Sequence, residues 1–358
     1  MNLRLVYIQI LLLWCVTIVH TAPLQCKNAA KADISWAVFY VVPQKQAARA
    51  IYAAPAPAWE QQEVDLTPVD GALGELFTPF FTAQTKPTYN LIAYSNFPPL
   101  FRAPVSKSSP AKGVLGYTDG NGWWLVHSIE QWPDMTGTAF TAPAAGSAGL
   151  IVCLSIPFTS LKEWATVLNF EDPVVYYYHS STPPAATSIG NIKELNDLTK
   201  KSSPVVYPPF VKSMTFTTVG ASGALTTFVG KAAKAFIDIY SKHLANKVLK
   251  QSLIVWSDQT KGAKLASYCS GKYKVENVKP GQTIKVDSVD VKRSEDTSNW
   301  AVSKDAGATA VFCTSDAVRT TAWKTVPGGA VCLQQQQLQT LFSAVANTAE
   351  IEKCPSSG

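Results

Sequence analysis

The 358 residues carry 31 Lys and Arg against 25 Asp and Glu, a formal net charge of +6, and 47% of them are hydrophobic. The basic residues are scattered, with Lys200-Lys201 and Lys292-Arg293 as adjacent pairs, which excludes the dense basic patch of a dedicated nucleic-acid binder. A chain of this length can bury one large core or two moderate ones.

Residues 1–22 have the layout of a secretory signal peptide. Arg4 precedes an apolar run from Ile8 to Val19, and the small residues Thr21 and Ala22 suit cleavage. The run is shorter than the ~20 residues of a membrane-spanning helix, and no second long apolar stretch follows. The expected product is secreted and extracellular, with no membrane partner.

Beyond the leader, apolar, β-branched and aromatic runs predict strands at Ile34–Val42, Tyr89–Tyr94, Gly113–Tyr117, Trp123–Ile129, Gly149–Ile156, Met214–Val219, Leu253–Trp256, Asn299–Val302 and Ala308–Cys313. Several lack alternation, as strands buried on both faces do. Helical spacing puts Leu161, Trp164, Ala165 and Leu168 on one face; Phe236, Ile239, Tyr240 and His243 on another; and Leu338, Leu341, Phe342 and Val345 on a third. Ala53–Gly71 reads as a surface loop. Ser180–Pro209, with Pro183-Pro184 and Pro208-Pro209 around a helix-like Ile192–Leu198, reads as a connection. The expected division is an N-terminal half over 23–180, a connecting segment over 181–209 and a C-terminal half over 210–358. Mixed strands and helices on this scale give an α/β or α+β class.

Of seven cysteines, Cys15 lies in the leader, leaving Cys26, Cys153, Cys269, Cys313, Cys332 and Cys354. An even number in an exported chain points to three disulfides, with fifteen pairings open. No CxxC spacing, glycine-rich phosphate loop, HExxH, EF-hand or Gly-x-Ser-x-Gly pattern occurs. No cofactor and no metal is expected. Glu295 and Asp296 are adjacent carboxylates of the kind that hold Mg²⁺ or Ca²⁺, but a Glu-Asp dipeptide is a common surface feature.

Several blocks, in order along the chain, resemble the deoxyribonuclease II family. They are Leu24-Gln-Cys26 with Ile34-Ser-Trp36 and Tyr40-Val-Val-Pro43; Lys112-Gly-Val-Leu115 with Gly122-Trp-Trp-Leu-Val-His-Ser128; Cys153-Leu-Ser-Ile-Pro-Phe158; Asp296-Thr-Ser-Asn-Trp300; and Cys313 with Gly328-Gly-Ala-Val-Cys332. Within that family the chain resembles the secreted deoxyribonuclease-II-like proteins of Trichinella-type parasitic nematodes. The resemblance implies a phospholipase-D-like fold, two similar α/β halves around a shared cleft, and cystines Cys26–Cys153, Cys269–Cys354 and Cys313–Cys332. Active family members are lysosomal acid endonucleases.

In that family each half contributes a His-x-Lys pair. One histidine attacks phosphorus, the other protonates the leaving oxygen, and the lysines neutralise developing charge. Here the first pair falls on Pro110-Ala-Lys112 and the second on Thr297-Ser-Asn299, so neither is intact. The resemblance therefore implies a vestigial cleft of Pro110, Lys112, His127, Thr297 and Asn299. His127 matches a cleft histidine; His179 reads as a strand-end or loop residue, and His243 as a helix residue near a C-terminus, where a positive imidazole suits the dipole.

The expected function is that of a pseudoenzyme binding DNA weakly and salt-dependently, with Trp123, Trp124 and Trp300 as walls, or binding an unidentified protein. The alternative is an active, metal-independent acid endodeoxyribonuclease rebuilt around His127 and Lys112.

Overall fold

Two eight-stranded sheets carry most of the chain. The computed structural model describes residues 24–355 apart from 84–85, 106–108, 183–184, 201–204 and 261–262. The leader expected over 1–22 lies outside the described residues.

The first sheet runs Val175–His179, Asn90–Tyr94, Gly113–Tyr117, Asn121–His127, Gly149–Pro157, Trp36–Val41, Ala47–Tyr52, Val64–Asp65, every neighbour antiparallel. The second runs Val211–Thr217, Leu225–Lys231, Gly328–Gln334, Val311–Ser315, Asn299–Ser303, Leu253–Trp256, Val275–Val278, Ile351–Glu352. In it Leu253–Trp256 and Val275–Val278 pair in parallel. The class is α+β.

The strands lack alternation because both faces are covered. In Trp36–Val41, the residues Trp36, Val38 and Tyr40 enter one core, while Ala37, Phe39 and Val41 enter another. The first core is shared by both sheets, and Trp124 of one lies 4.7 Å from Phe228 of the other. Two outer cores are sealed by helices Gly74–Phe81 and Tyr240–Leu249.

Two helices fill the space between the sheets. Leu161–Glu171 buries Leu161, Trp164, Ala165 and Leu168, the expected face, and ends where Asp172 turns left-handed (φ 52°) before Pro173. Its Trp164 meets Tyr94 and Trp124 of the first sheet. Its other side packs on the second, where Gly230 permits the approach: a Cβ there would lie 2.3 Å from the Val167 carbonyl oxygen. Gln336–Ala346 starts where the Gln335 side chain accepts the Leu338 N–H at 2.8 Å. Its Phe342 packs on Phe312 and Trp300 and reaches Tyr40 and Trp59 of the first sheet.

Three expectations need correction. The helix expected around Phe236 starts only at Tyr240, because the Asp238 carboxylate accepts the Tyr240 N–H and the Ser241 hydroxyl. Phe236 stands outside it at φ 53°, 65% exposed. Ala53–Gly71 is not wholly loop, since Val64–Asp65 pairs with Ala47–Ala48. Helix Gly74–Phe81 and strands Ala47–Tyr52, Val175–His179, Leu225–Lys231 and Val275–Val278 add to the expected set. The three cystines pair as the resemblance implies, Cys313 and Cys332 as direct cross-strand neighbours. Each restricts the unfolded chain, by a few kcal/mol in the usual case. Among the described residues no helix is long and apolar enough to cross a membrane.

Candidate functional site: a cavity between the sheets

A cavity of about 550 Å³, within the ordinary size range of small-ligand sites, opens between the two sheets. It brings together Pro110, Lys112 and His127 from the first sheet's side and Thr297 and Asn299 from the second. All five residues expected in the cleft therefore line one space.

Several of their polar atoms are engaged within the protein. Lys112 Nζ donates to the Pro110 carbonyl at 3.2 Å. Thr297 Oγ1 donates to the Ala148 carbonyl at 3.0 Å and sits 3.0 Å from Ser128 Oγ, which itself accepts the Leu150 N–H at 2.9 Å. Around it the backbones interlock, Ala148 N–H donating to Glu295 and Thr297 N–H to Ala148. Thr297 is thus a strap across the sheets with its proton committed to a carbonyl. Asn299 Oδ1 accepts the Asp258 N–H at 3.0 Å.

His127 is 5% exposed, and both its ring nitrogens are buried without a hydrogen-bond partner. Trp132 lies edge-on at 5.0 Å. Burial, and then the Lys112 cation, push the imidazole down to about 3, so it is neutral across the physiological range. His179 stands at a strand end with Nε2 2.9 Å from the Lys86 carbonyl oxygen. His243 lies inside helix Tyr240–Leu249, and burial and Lys247 lower its affinity for a proton. The expected positive imidazole is disfavoured there because the helix runs on past it to a lysine.

The remaining expectations separate. Asp296 accepts from the Tyr40 hydroxyl at 2.6 Å, Trp256 Nε1 at 2.7 Å and the Ser298 hydroxyl and N–H at 2.9 and 2.8 Å, so its carboxylate is fully occupied. Glu295 turns to Lys292 at 3.4 Å. The two acids do not converge, and no group of three or more metal-ligating side chains occurs among the described residues. Arg293 donates to the carbonyls of Ser298 and Asp296 and stacks on Trp256. Of the tryptophans, Trp124 lines the cavity. Trp123 instead packs on Phe77 and Phe80 in an outer core, and Trp300 is buried on Phe342. Alternation along Asn121–His127 sends adjacent tryptophans to opposite faces.

Two further acids line the same cavity. Glu171 ends helix Leu161–Glu171, and Asp316 follows strand Val311–Ser315. Both reach the Gly328-Gly329 step. Gly329 N–H donates to Asp316 Oδ1 at 2.7 Å, and a Cβ on Gly329 would lie 1.5 Å from Glu171 Oε1. Burial pushes Asp316 up to about 7, against the pull of the Gly329 N–H, Lys112 and Lys231. Burial and Asp316 raise Glu171 well above the carboxylate range. A signal for Glu171 was present in the sequence, since it lies three residues beyond Leu168 on the apolar face.

The family model for deoxyribonuclease II matches residues 25–354. The chain is 28% identical over 245 residues to plancitoxin-1 of Acanthaster planci, spanning 68% of this chain and 65% of that protein. It is 26% identical to deoxyribonuclease-2-alpha of Mus musculus over 353 residues, 93% of this chain and 94% of the relative. Cell-death-related nuclease 7 of Caenorhabditis elegans is 24% identical over 342 residues, 93% and 89% of the two chains.

Proposed function

Because the chain belongs to the deoxyribonuclease II family, we propose that it keeps the family's scaffold, has lost phosphodiester hydrolysis and works by binding. The observation that carries this is the cavity wall: the positions aligned with the family's two His-x-Lys pairs hold Pro110 with Lys112, and Thr297 with Asn299. Phosphoryl transfer without metal needs a nucleophile, a proton donor and fixed cations at one phosphate. Thr297 has no base, its neighbour Asp296 being fully engaged. General acid–base groups contribute roughly 10²–10⁴ each to rate, so loss of two leaves activity below detection.

In this reading the fold is phospholipase-D-like. Residues 23–180 and 210–358 form its two halves, 181–209 join them, and the mature chain is secreted after removal of 1–22. Two intersheet helices, each following a long central strand, support the paired-half description. The partner is a nucleic acid bound weakly or a protein. Glu130, Asp258 and Asp296 around the cavity oppose a phosphodiester and favour the second. The test is plasmid nicking by purified protein from pH 4 to 8, with and without divalent metal; the proposal expects intact DNA throughout.

One observation favours a second reading, an acid nuclease rebuilt around His127 and Lys112. Both line the cavity, and the imidazole is neutral and unpartnered. That reading expects EDTA-insensitive nicking near pH 5 that His127→Ala reduces.

A further inference from the structure

The Glu171–Asp316 pair lines the cavity outside the five positions expected in the cleft. Glu171 is 4% exposed and lines the cavity, yet among the described residues its carboxyl accepts no hydrogen bond and joins no ion pair. Asp316 uses Oδ1 on the Gly329 N–H. Glu171 ends a helix held between the two sheets, and Asp316 follows a strand of the second.

Lys112 and Lys231 act electrostatically on Asp316, while no cation pairs with Glu171 among the described residues. Lys231 Nζ donates to the carbonyls of Trp323, Lys324 and Val326, and Arg293 to those of Ser298 and Asp296. A buried carboxylate without a paired cation, as at Glu171, is costly, and a ligand that supplies one removes that cost. Beside the pair stand Trp124 and Phe228, rings 4.7 Å apart, both nearly fully buried and both on the cavity wall. Aromatic faces attract cations and shelter hydrocarbon. His127, with two unpartnered nitrogens on the same wall, offers a further hydrogen-bonding group.

We infer that the cavity is a binding site for a small organic cation, an ammonium or guanidinium head seated between Glu171 and Asp316 with its apolar body against Trp124 and Phe228. This rests on the reading that the cavity binds ligand without hydrolysing DNA. The charged and titratable groups facing the pair are Tyr94, Lys112, Lys231 and Tyr240, with His127, Glu130 and Asp258 around the mouth and walls. Asp316, pushed up to about 7, and Lys231, lowered to about 8 by burial, both titrate near neutrality, so a bound cation releases protons from the pair and from Lys231.

Calorimetry on the mature chain at pH 7.5 tests the inference, with n-butylammonium as probe and 1-butanol and inorganic phosphate as controls. The expected result is saturable n-butylammonium binding at least tenfold tighter than that of 1-butanol. Its heat should vary with the ionisation enthalpy of the buffer. Glu171→Gln, with circular dichroism matching the parent, should weaken it tenfold or more. Asp316→Asn gives the same reading should Glu171→Gln not fold. Equal binding of the two butyl probes, unchanged binding in the folded variants, or preference for phosphate each overturns the site. A cavity that binds no cation while DNA stays intact overturns this inference alone, and nicked DNA overturns the reading beneath it.

Discussion

Thr297 Oγ1 lies 3.0 Å from Ser128 Oγ, joining the two sheets through a pair of side chains. With Leu150 N–H donating into Ser128 and Thr297 donating to Ala148, the bonds form one chain. Thr297→Val keeps the shape and removes the central link. The expected cost is about 1–3 kcal/mol, because Ser128 loses a partner in a half-buried place. Urea midpoints measure it, and a neutral Thr297→Val variant would show that the strap contributes nothing.

The carboxyl pair makes a sharper prediction in pH. Glu171 is raised in the folded state, so its contribution is fully present below its unfolded value near 4.5 and is lost as pH climbs through the folded value. Asp316 behaves alike, its loss centred at about 7. His127 runs the other way: lowered to about 3, its contribution is present above 6.5 and lost as pH falls. Comparing Glu171→Gln with the parent cancels the groups not coupled to it, leaving the Glu171–Asp316 pair. At pH 4 the variant should nearly match the parent; at pH 7.5 it should be more stable by on the order of 1–2 kcal/mol. A variant less stable than the parent at pH 7.5 contradicts the burial of an unpaired acid.

Much of the fold was legible because its signals are local. Leu161, Trp164, Ala165 and Leu168 specify a helix, and runs such as Gly149–Ile156 can only be strands buried on both faces. Ala47–Tyr52 escaped notice because its alanines and Arg49 carry no β-propensity, and its place comes from Trp36–Val41 alongside. Helix Gly74–Phe81 was hidden by Pro79. At the site, Pro110, Lys112, His127, Thr297 and Asn299 were found through resemblance, which reports what a family shares. Glu171 and Asp316 are 145 residues apart and meet only through Gly329, a relationship that no window along the chain contains.

Gly329 supplies a test of that meeting. Gly329→Ala places a methyl carbon 1.5 Å from Glu171 Oε1 and 2.6 Å from the Val229 carbonyl oxygen, so the carboxyl must swing aside and the strand must give. Overpacking of this kind costs roughly 1–3 kcal/mol. Glu171→Ala alone empties part of the cavity and removes a buried acid. In the double variant the new methyl occupies the vacated space, and its stability should exceed the sum of the single effects by 1 kcal/mol or more. Additive effects would mean that the two residues do not touch.

Asp296 decides whether the Glu295-Asp296 dipeptide holds metal or holds the fold. Its carboxylate receives Tyr40 from the first sheet, Trp256 from the second, and Ser298 twice. Asp296→Ala strands those donors in a buried place, and each unsatisfied group costs ~1–3 kcal/mol. A loss of at least 3 kcal/mol is expected, against a much smaller loss for Glu295→Ala, whose partner Lys292 is exposed. Neither EDTA nor added Mg²⁺ or Ca²⁺ should move the parent's unfolding midpoint, because the oxygens a cation needs are already taken. Stabilisation by a divalent ion that Asp296→Ala removes would reverse the assignment and make the dipeptide a metal site.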